Sequence, residues 1–170
     1  MFADDINISV RSKNLEIVKQ VLQETIYKFQ KWAETKGLTF STNKTVAVHF
    51  SRKTKSIYNP ELSMNNTPIE YKDTTKFLGL TFDKKLNWTQ HLKNVKSETT
   101  RTLNLLKILS NPNHNPNRKL LLQLFRSLIR SKIEYGSIAY SSASNSNLAT
   151  LEPITNTAPR ICIGAFRTPP

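Results

Sequence analysis

Phe2-Ala3-Asp4-Asp5 opens the chain, and its two adjacent carboxylates are followed by alternating apolar residues, Ile6, Ile8 and Val10. This pattern predicts a tight hairpin with its turn at Asp4-Asp5 rather than a single strand. Two carboxylates at a buried turn repel each other unless a cation lies close to them. Magnesium is commonly held by one or two carboxylates together with substrate phosphates. The alternative is a turn whose aspartates accept hydrogen bonds from the local backbone.

Further segments with a distinctive composition follow downstream. They are Gly37-Leu38-Thr39-Phe40-Ser41-Thr42-Asn43-Lys44-Thr45, then Lys76-Phe77-Leu78-Gly79-Leu80-Thr81-Phe82-Asp83 with Leu86-Asn87-Trp88 and His91 behind it, and finally Ile133-Glu134-Tyr135-Gly136 and Gly164-Ala165-Phe166-Arg167-Thr168. With the opening residues, and in this order, they resemble the reverse transcriptases of non-LTR retrotransposons, jockey-like elements most closely. The segments are similar to the Tyr/Phe-x-Asp-Asp box, the box after it, the primer-grip hairpin and a stretch of the thumb.

The resemblance implies an α+β fold with two regions. Residues 1–90 resemble a partial reverse-transcriptase palm, made of a metal-binding hairpin, a helix, short antiparallel strands and a primer-grip hairpin. Residues 91–170 resemble a helical thumb. The residue pattern agrees, because apolar residues recur every three or four positions over residues 15–32 and alternate over residues 45–50, which predicts a helix and then a strand.

The same resemblance assigns chemistry to three groups of residues. Asp4 is implied as a ligand of catalytic magnesium, with Asp5 beside it as a second acid. Two magnesium ions stabilise both the attacking and the leaving oxygen of nucleotidyl transfer. Lys44 is implied to lie near the pyrophosphate leaving group, where an ammonium offsets developing charge. The implied primer grip, in which a glycine lets the backbone approach the primer terminus, consists of Phe77, Leu78 and Gly79.

Several of these residues also have a purely structural interpretation. Lys44 fits an ordinary exposed lysine at the start of a strand, and Phe77 fits a core side chain. Leu78 is predicted to lie in the core. Trp88 and His91 are predicted to be packing and capping residues, since the three histidines of the chain are too scattered for a metal site.

The resemblance also implies a residue that this sequence does not supply. The family's palm has a further catalytic aspartate on a strand before the Asp-Asp box, whereas this chain begins at Met1. Asp73 and Asp83 lie in or beside the primer-grip segment and are poor substitutes. The chain is therefore expected to be a fragment or a decayed copy that does not polymerise alone. Its palm is expected to be marginally stable, because unpaired strands leave an exposed edge.

The composition bounds the class of protein. Of the 170 residues 38% are hydrophobic, enough for the core of one domain, and no run approaches the ~18 consecutive apolar residues of a membrane span. The single Cys162 excludes an internal disulfide and a zinc cluster, and it is predicted to be a small buried residue. No signal-peptide pattern opens the chain. An intracellular location, in the nucleus or the cytoplasm as a ribonucleoprotein, is expected.

The charge is strongly positive and unevenly distributed. Lys and Arg outnumber Asp and Glu by 25 to 12, a net charge of +13. Residues 91–170 hold 11 of the basic residues and only 3 of the acidic ones, which is typical of a surface that contacts a phosphate backbone. The balance of charge alone also fits a ribosomal or a membrane-surface protein.

Helices are predicted throughout this basic half. Apolar residues recur along one face over residues 92–106 and again over residues 118–135, which predicts two amphipathic helices. Asparagine and proline between them predict a linker. A last helical region is predicted over residues 148–163, interrupted by Pro153 and Pro159.

Basic side chains on these helices are the predicted contacts to nucleic acid. They lie away from the apolar face, where phosphate groups can reach them. The predicted nucleic-acid-binding residues are Lys93, Lys96, Arg101, Arg126 and Arg130. The predicted core residues of the second helix are Leu121, Leu124, Leu128 and Ile129.

These expectations combine into one hypothesis with two alternatives. The chain is predicted to be part of an RNA-directed DNA polymerase whose partners are an RNA template, a DNA primer and magnesium, with no membrane. The first alternative is a non-catalytic nucleic-acid-binding module that keeps only the basic thumb face. Its binding survives Asp4→Ala and falls steeply with salt. The second alternative is an interaction scaffold whose charge serves solubility alone.

Overall fold

The computed structural model describes residues 5–53, 58–111 and 117–165. Phe2, Ala3 and Asp4 lie outside these ranges, as do residues 166–168 of the last family segment. The chain divides into two compact units, residues 1–79 and 80–170. The described residues form helices and small two-stranded sheets, which is compatible with the predicted α+β class.

The helices and strands are short except for two. Unit 1 contains α1 (Leu15–Thr35), a 3-10 turn (Thr42–Lys44), β1 (Val46–Ala47), β2 (Ser63–Met64), β3 (Thr67–Pro68), β4 (Glu70–Tyr71) and β5 (Thr74–Phe77). Unit 2 contains β6 (Leu80–Asp83), α2 (Thr89–Leu109), α3 (Arg118–Leu124), a π-helical segment (Phe125–Arg130), α4 (Ser131–Glu134), α5 (Ser137–Tyr140), α6 (Asn145–Leu148), a 3-10 turn (Ala149–Leu151) and α7 (Glu152–Ile163).

Helix α1 begins where the sequence predicts. The Asn14 side chain accepts a hydrogen bond from the Glu16 N–H over 2.9 Å, which satisfies one of the unpaired donors of the first turn. The helix is attached to β2 through Gln23, whose amide donates to the Ser63 carbonyl over 2.9 Å and accepts from the Ser63 N–H over 3.0 Å. One side of α1 therefore anchors the β2–β3 hairpin.

Asn65 and Asn66 form a tight turn. These residues join β2 to its antiparallel partner β3, in the register Ser63↔Pro68 and Met64↔Thr67. Both asparagines have positive φ, 50° and 58°, as a two-residue hairpin turn of the I′ type requires.

One strand prediction in unit 1 is wrong. The strand predicted over residues 45–50 is only two residues long, and Phe50 is 48% exposed. Its partner β4 also has only two residues, and the pair is parallel rather than antiparallel (Val46↔Glu70 and Ala47↔Tyr71). The hairpin predicted at Asp4-Asp5 lies partly outside the described residues, and residues 6–10 alternate between half-buried and exposed without forming a strand.

The segment likened to a primer grip is a hairpin. Strands β5 and β6 form a two-stranded sheet joined at Leu78 and Gly79. Both turn residues have positive φ, 47° and 78°. The prediction that Leu78 lies in the core is wrong: its side chain is 37% exposed, because a turn holds it away from both strands.

Unit 2 is built around helix α2, whose buried face matches the predicted one. This face reaches two hydrophobic clusters. The first cluster consists of Leu103, Leu106, Leu121, Ile129, Ile154, Ala158 and Cys162. The second cluster consists of Trp88, Leu92, Tyr140 and Leu151. Cys162 is fully buried, as predicted.

The second predicted helix contains a π-helical segment, Phe125–Arg130. Leu121, Phe125, Ile129 and Ile133 lie four positions apart and belong to the first cluster or pack against it, together with Leu122 and Leu124. Four residues of an α-helix advance by about 400° and drift off one face by about 40° per repeat. The i→i+5 bonds of a π segment make a wider turn, so its residues drift in the opposite direction and offset part of the drift of the α-helical turns beside it. A four-residue repeat is therefore compatible with a π segment at this place.

Two helix predictions in unit 2 need correction. Leu128, predicted to be core, is 45% exposed, because the four-residue repeat buries Ile129 instead. Pro159 does not interrupt α7, which continues past it to Ile163, since its neighbour Ala158 is fully packed in the first cluster. Pro153 lies in the first turn of α7, where a missing N–H costs nothing. No helix among the described residues is long and apolar enough to span a membrane.

Candidate nucleic-acid interface

The predicted metal ligands lie at the edge of the described structure. Asp4 lies outside the described residues, and Asp5 is exposed. Within the described ranges there is no group of three or more His, Cys, Asp or Glu side chains that could hold a metal ion. The roles of Asp4 and Asp5 as magnesium ligands stay a prediction.

Lys44 ends a short turn rather than starting a strand. It is the last residue of the 3-10 turn Thr42–Lys44, and its side chain is exposed. The Thr45 hydroxyl and the Lys44 N–H both donate to the Ser41 carbonyl, over 2.8 Å and 3.3 Å. The turn thus places the ammonium in solvent just before β1. Its predicted role near a pyrophosphate stays a prediction.

The predicted primer-grip residues are displayed by the β5–β6 turn. Phe77 is half-buried at the end of β5, while Leu78 and Gly79 are exposed. Because Gly79 has φ 78°, a side chain there would be strained. The turn therefore offers an exposed backbone, as a grip on a nucleic-acid end requires.

Asp83 fixes the connection from β6 to helix α2. Its Oδ1 accepts hydrogen bonds from the N–H groups of Lys85 and Asn87, both over 3.1 Å, and its Oδ2 accepts from the Trp88 N–H over 2.7 Å. Trp88 occupies the N-cap position of α2 with φ 63° and provides no side-chain cap. Trp88 is buried, as its predicted packing role requires, but the carboxylate that organises this helix start belongs to Asp83.

The other residues of β6 are also held by unit 2. The Thr81 N–H donates to His91 Nδ1 and the Asn94 amide donates to the Thr81 hydroxyl, each over 3.4 Å. The ring of Phe82 lies 5.0 Å from that of Trp88. Sequence reasoning missed the contacts of His91 and Asn94, since the spacing of ten residues from Thr81 to His91 has no periodic signature.

His91 is buried among aromatic rings, which confirms its predicted packing role. Only 4% of its surface is exposed, and its ring centroid lies 6.0 Å from that of Trp88 and 5.3 Å from that of Tyr140. Burial lowers the pKa of the imidazole, and the Glu98 carboxylate opposes this only in part. Burial likewise raises the pKa of Tyr140, whose hydroxyl donates to the Ile133 carbonyl.

Helix α2 carries the predicted basic residues on its exposed sides. Lys93 and Lys96 are exposed, together with Lys107; Lys96 and Lys107 lie within about 20° of each other around the axis. These three residues are the lysine row. Arg101 is also exposed, but it lies about 140° from Lys96, so the predicted cations of α2 do not all face one way.

Arg126 and Arg130 project from the π segment and differ in their partners. Both are exposed. Arg130 Nε lies 2.6 Å from Glu134 Oε1, whereas Arg126 makes no side-chain hydrogen bond or ion pair with the described residues. The same holds for Lys93, Lys96 and Arg101. Four of the five predicted cations are thus available to an external anion.

Acidic groups do little to neutralise this surface. Residues 91–170 contain 3 acidic residues. Glu98 lies 3.4 Å from Lys132 and Glu134 pairs with Arg130, in exposed ion pairs of the kind that contribute at most about 1 kcal/mol. The surface is therefore an array of cations with few acidic partners, which suits contacts to phosphate groups.

Comparisons with known proteins find relatives along most of the chain. It is 27% identical over 147 residues (86% of this chain) to the RNA-directed DNA polymerase from the mobile element jockey of Drosophila melanogaster. It is 20% identical over 163 residues to a probable RNA-directed DNA polymerase from the X-element and 23% identical over 159 residues to one from transposon BS, both of the same fly. These matches cover 96% and 94% of the chain.

The chain spans less than a fifth of the length of these curated relatives, 16% of the jockey polymerase and 18% of each of the other two. No protein-family model and no solved structure matches the chain.

Proposed function

We propose that this chain, a homologue of the RNA-directed DNA polymerases of Drosophila non-LTR retrotransposons, is a part of such a polymerase that holds the RNA template and the DNA primer. The observation that carries the proposal is the match to three such polymerases over 86–96% of the chain. The β5–β6 turn contacts the primer end, and the cations of unit 2 contact the phosphate backbone, as a thumb following a palm would.

The charge distribution supports a grip on phosphates. Lys93, Lys96, Arg101 and Arg126 are exposed and have no side-chain partner among the described residues. Each phosphate that such a cation neutralises releases counterions, which makes binding salt-dependent and largely independent of sequence. A template–primer duplex, whose sequence changes at every step of synthesis, needs this kind of contact.

The catalytic centre of the polymerase includes Asp4 and Asp5 as magnesium ligands and Lys44 near the leaving group. Bound magnesium would supply charge neutralisation at the attacking and leaving oxygens. We propose that the chain alone binds template–primer without extending it. The second candidate function is a non-catalytic nucleic-acid-binding module, which the exposed cations of unit 2 favour.

Primer extension tests the proposal directly. The chain and its Asp4→Ala variant are incubated with a DNA primer on an RNA template, magnesium and nucleotides, and binding is titrated in parallel. We expect binding without extension, equal in the two proteins. Extension that is lost in Asp4→Ala would mean that acids of this chain complete the metal site, and the proposal of binding alone would be wrong.

Matched charge variants separate a specific surface from overall charge. Lys93→Ala/Lys96→Ala removes two lysines of the lysine row, and Lys31→Ala/Lys36→Ala removes two exposed lysines of unit 1. We expect the first pair to weaken binding and to reduce the slope of log affinity against log salt by about one for each phosphate that is no longer neutralised. The second pair should leave that slope unchanged. Equal effects would indicate attraction by net charge alone.

A further inference from the structure

We propose that His91 is a positioning residue for the β5–β6 hairpin: its neutral imidazole ties strand β6 to helix α2 and releases the strand when it takes up a proton. The proposal rests on the proposed function only in giving the hairpin a primer to contact. The tie itself is a property of unit 2 and is measurable without nucleic acid.

The tie is a single hydrogen bond to one ring nitrogen. The Thr81 N–H donates to His91 Nδ1 over 3.4 Å. A nitrogen that accepts from an N–H has no proton of its own, so the ring proton of the neutral imidazole lies on Nε2. Nε2 is buried and has no hydrogen-bond partner among the described residues. The neutral ring is thus held by one hydrogen bond, from Thr81, and by packing against the rings of Trp88 and Tyr140.

Few groups around His91 could stabilise a positive charge. From β6, Asp83 is occupied by three backbone N–H groups. From α5, the Tyr140 phenol donates to the Ile133 carbonyl. From α2 itself, Glu98 favours the charged ring but already pairs with Lys132 over 3.4 Å. Glu98 therefore offsets the cost of a buried imidazolium only in part.

Protonation replaces the acceptor with a donor. The added proton must reside on Nδ1, where it faces the Thr81 N–H, and two donors cannot bond to each other. The charge would also be buried without a partner, which is costly. The result is that the ring and the strand separate. Thr81, the second residue of β6, then loses its backbone attachment to α2.

The release is local, because the other attachments of β6 do not involve His91. The Asn94 amide still donates to the Thr81 hydroxyl, and Asp83 still organises the start of α2. The neutral ring predominates above an ordinary histidine pKa of about 6.5, and lowering of that pKa by burial extends the neutral form to more acidic solution. The tie is therefore present at neutral pH and is lost as the pH falls.

The test measures the Thr81 amide in the full chain by NMR hydrogen exchange, expressed as a protection factor at each pH from neutral down to the lowest pH at which the chain stays folded. We expect protection at Thr81 to fall by about threefold to tenfold across this range, the equilibrium worth of one hydrogen bond. His91→Gln supplies an acceptor that does not titrate, so its protection should stay constant with pH. His91→Phe keeps an aromatic ring without an acceptor, so its protection should be low throughout.

Two controls keep the result interpretable. His49→Gln alters a histidine of unit 1, bonded to Asn59 over 3.0 Å, and should leave the pH dependence at Thr81 intact. An unchanged far-ultraviolet circular dichroism spectrum shows that the variants are folded. Constant protection at Thr81 in the unaltered chain, or full protection in His91→Phe, would overturn the proposal.

Binding to template–primer then separates this proposal from the proposed function. If both hold, affinity falls in the unaltered chain at the same pH at which Thr81 protection falls, but it does not fall in His91→Gln. A pH-dependent Thr81 amide without any template–primer binding supports the tie and contradicts the proposed function. Binding of template–primer together with a Thr81 protection factor that does not change with pH contradicts the role of His91 and leaves the proposed function standing.

Discussion

Gly136 is the residue at which backbone and packing requirements coincide. Its φ is +68°, and a Cβ placed on it would lie 2.5 Å from Leu80 Cδ2 and 3.0 Å from Cδ1. Positive φ costs an L residue about 1–2 kcal/mol, and the contact with Leu80 adds to that cost. Gly37 has nearly the same φ, +66°, with nothing within 4 Å of such a Cβ. The two glycines therefore separate backbone strain from crowding.

We expect Gly136→Ala to lower the free energy of unfolding more than Gly37→Ala does. Gly37→Ala carries only the backbone cost of about 1–2 kcal/mol, while Gly136→Ala must also displace the Leu80 side chain. Urea denaturation of the two variants checks this, and Gly136→Ala/Leu80→Ala should remove the crowding part. Equal losses for the two single variants would show that Leu80 moves aside without cost.

At the scale of residues, the sequence predicts the burial of a side chain better than it predicts which other residues the side chain contacts. Cys162 and Trp88 are buried as their chemistry suggests. Leu78 is not, because a turn position overrides an apolar side chain. The bond from Thr81 to His91 could not be predicted, since it depends on how a strand lies against a helix and not on the residues next to either partner.

At the scale of elements, the π segment Phe125–Arg130 gives a specific test of sequence register. If a four-residue repeat causes it, shortening the repeat should remove it. Deleting Ser127 places Leu121 and Ile129 seven residues apart, which is close to two turns of an α-helix. The buried face is then kept by α geometry alone.

We expect the chain without Ser127 to remain folded, with its unfolding free energy changed by less than about 1 kcal/mol, the range of ordinary surface changes. Deleting Ser97 from α2 is the matched control. It rotates the two halves of a regular buried face by about 100° relative to each other and should cost several kcal/mol, as disrupted cores do. Circular dichroism with urea denaturation measures both. Comparable losses would argue against the repeat as the cause.

Prediction of elements succeeded where a pattern was long. Helices α1 and α2 have 21 residues each, and their periodicity repeats often enough to be recognised. Strands β1 and β4 have two residues each, which is too short for alternation to define them. Their parallel pairing joins residues 46 and 70, and no local pattern indicates such a distant partner.

At the scale of the whole molecule, the buried apolar residues are concentrated in unit 2. Both hydrophobic clusters consist of residues from 80–170. The described buried hydrophobic residues of unit 1 are Ile26, Ala33, Leu62 and Met64. Since burial of apolar surface is the main stabilising contribution to folding, the two units should differ in their ability to fold alone.

We expect residues 74–170, which keep both strands of the β5–β6 hairpin, to fold with a cooperative urea transition. Residues 1–73 should not, because they bury too little apolar surface to offset the loss of chain entropy. Near-ultraviolet circular dichroism and urea titration of the two pieces check this. A cooperative transition in residues 1–73 would show that the expected marginal stability of this region is wrong.

The carboxylate of Asp83 also has a consequence for the order in which unit 2 is assembled. Its three bonds span at most five residues, so closing that loop costs little entropy. The bonds from Trp88 to Ser142 and from Asn147 to Asn87 close loops of 54 and 60 residues. Contacts between distant residues form late when closure is costly.

The start of α2 should therefore form first during folding. The hydrogen bonds from Ser142 and Asn147 should form later and stabilise it. Asp83→Ala is expected to slow refolding, because the three hydrogen bonds of the Asp83 carboxylate are already formed in the folding transition state. Asn147→Ala is expected mainly to accelerate unfolding. Stopped-flow chevron plots of the two variants measure both rate constants. Faster unfolding of Asp83→Ala together with slower refolding of Asn147→Ala would mean that the long-range hydrogen bonds form first. The Asp83 carboxylate would then nucleate the folding of unit 2, which contains both hydrophobic clusters of the described residues.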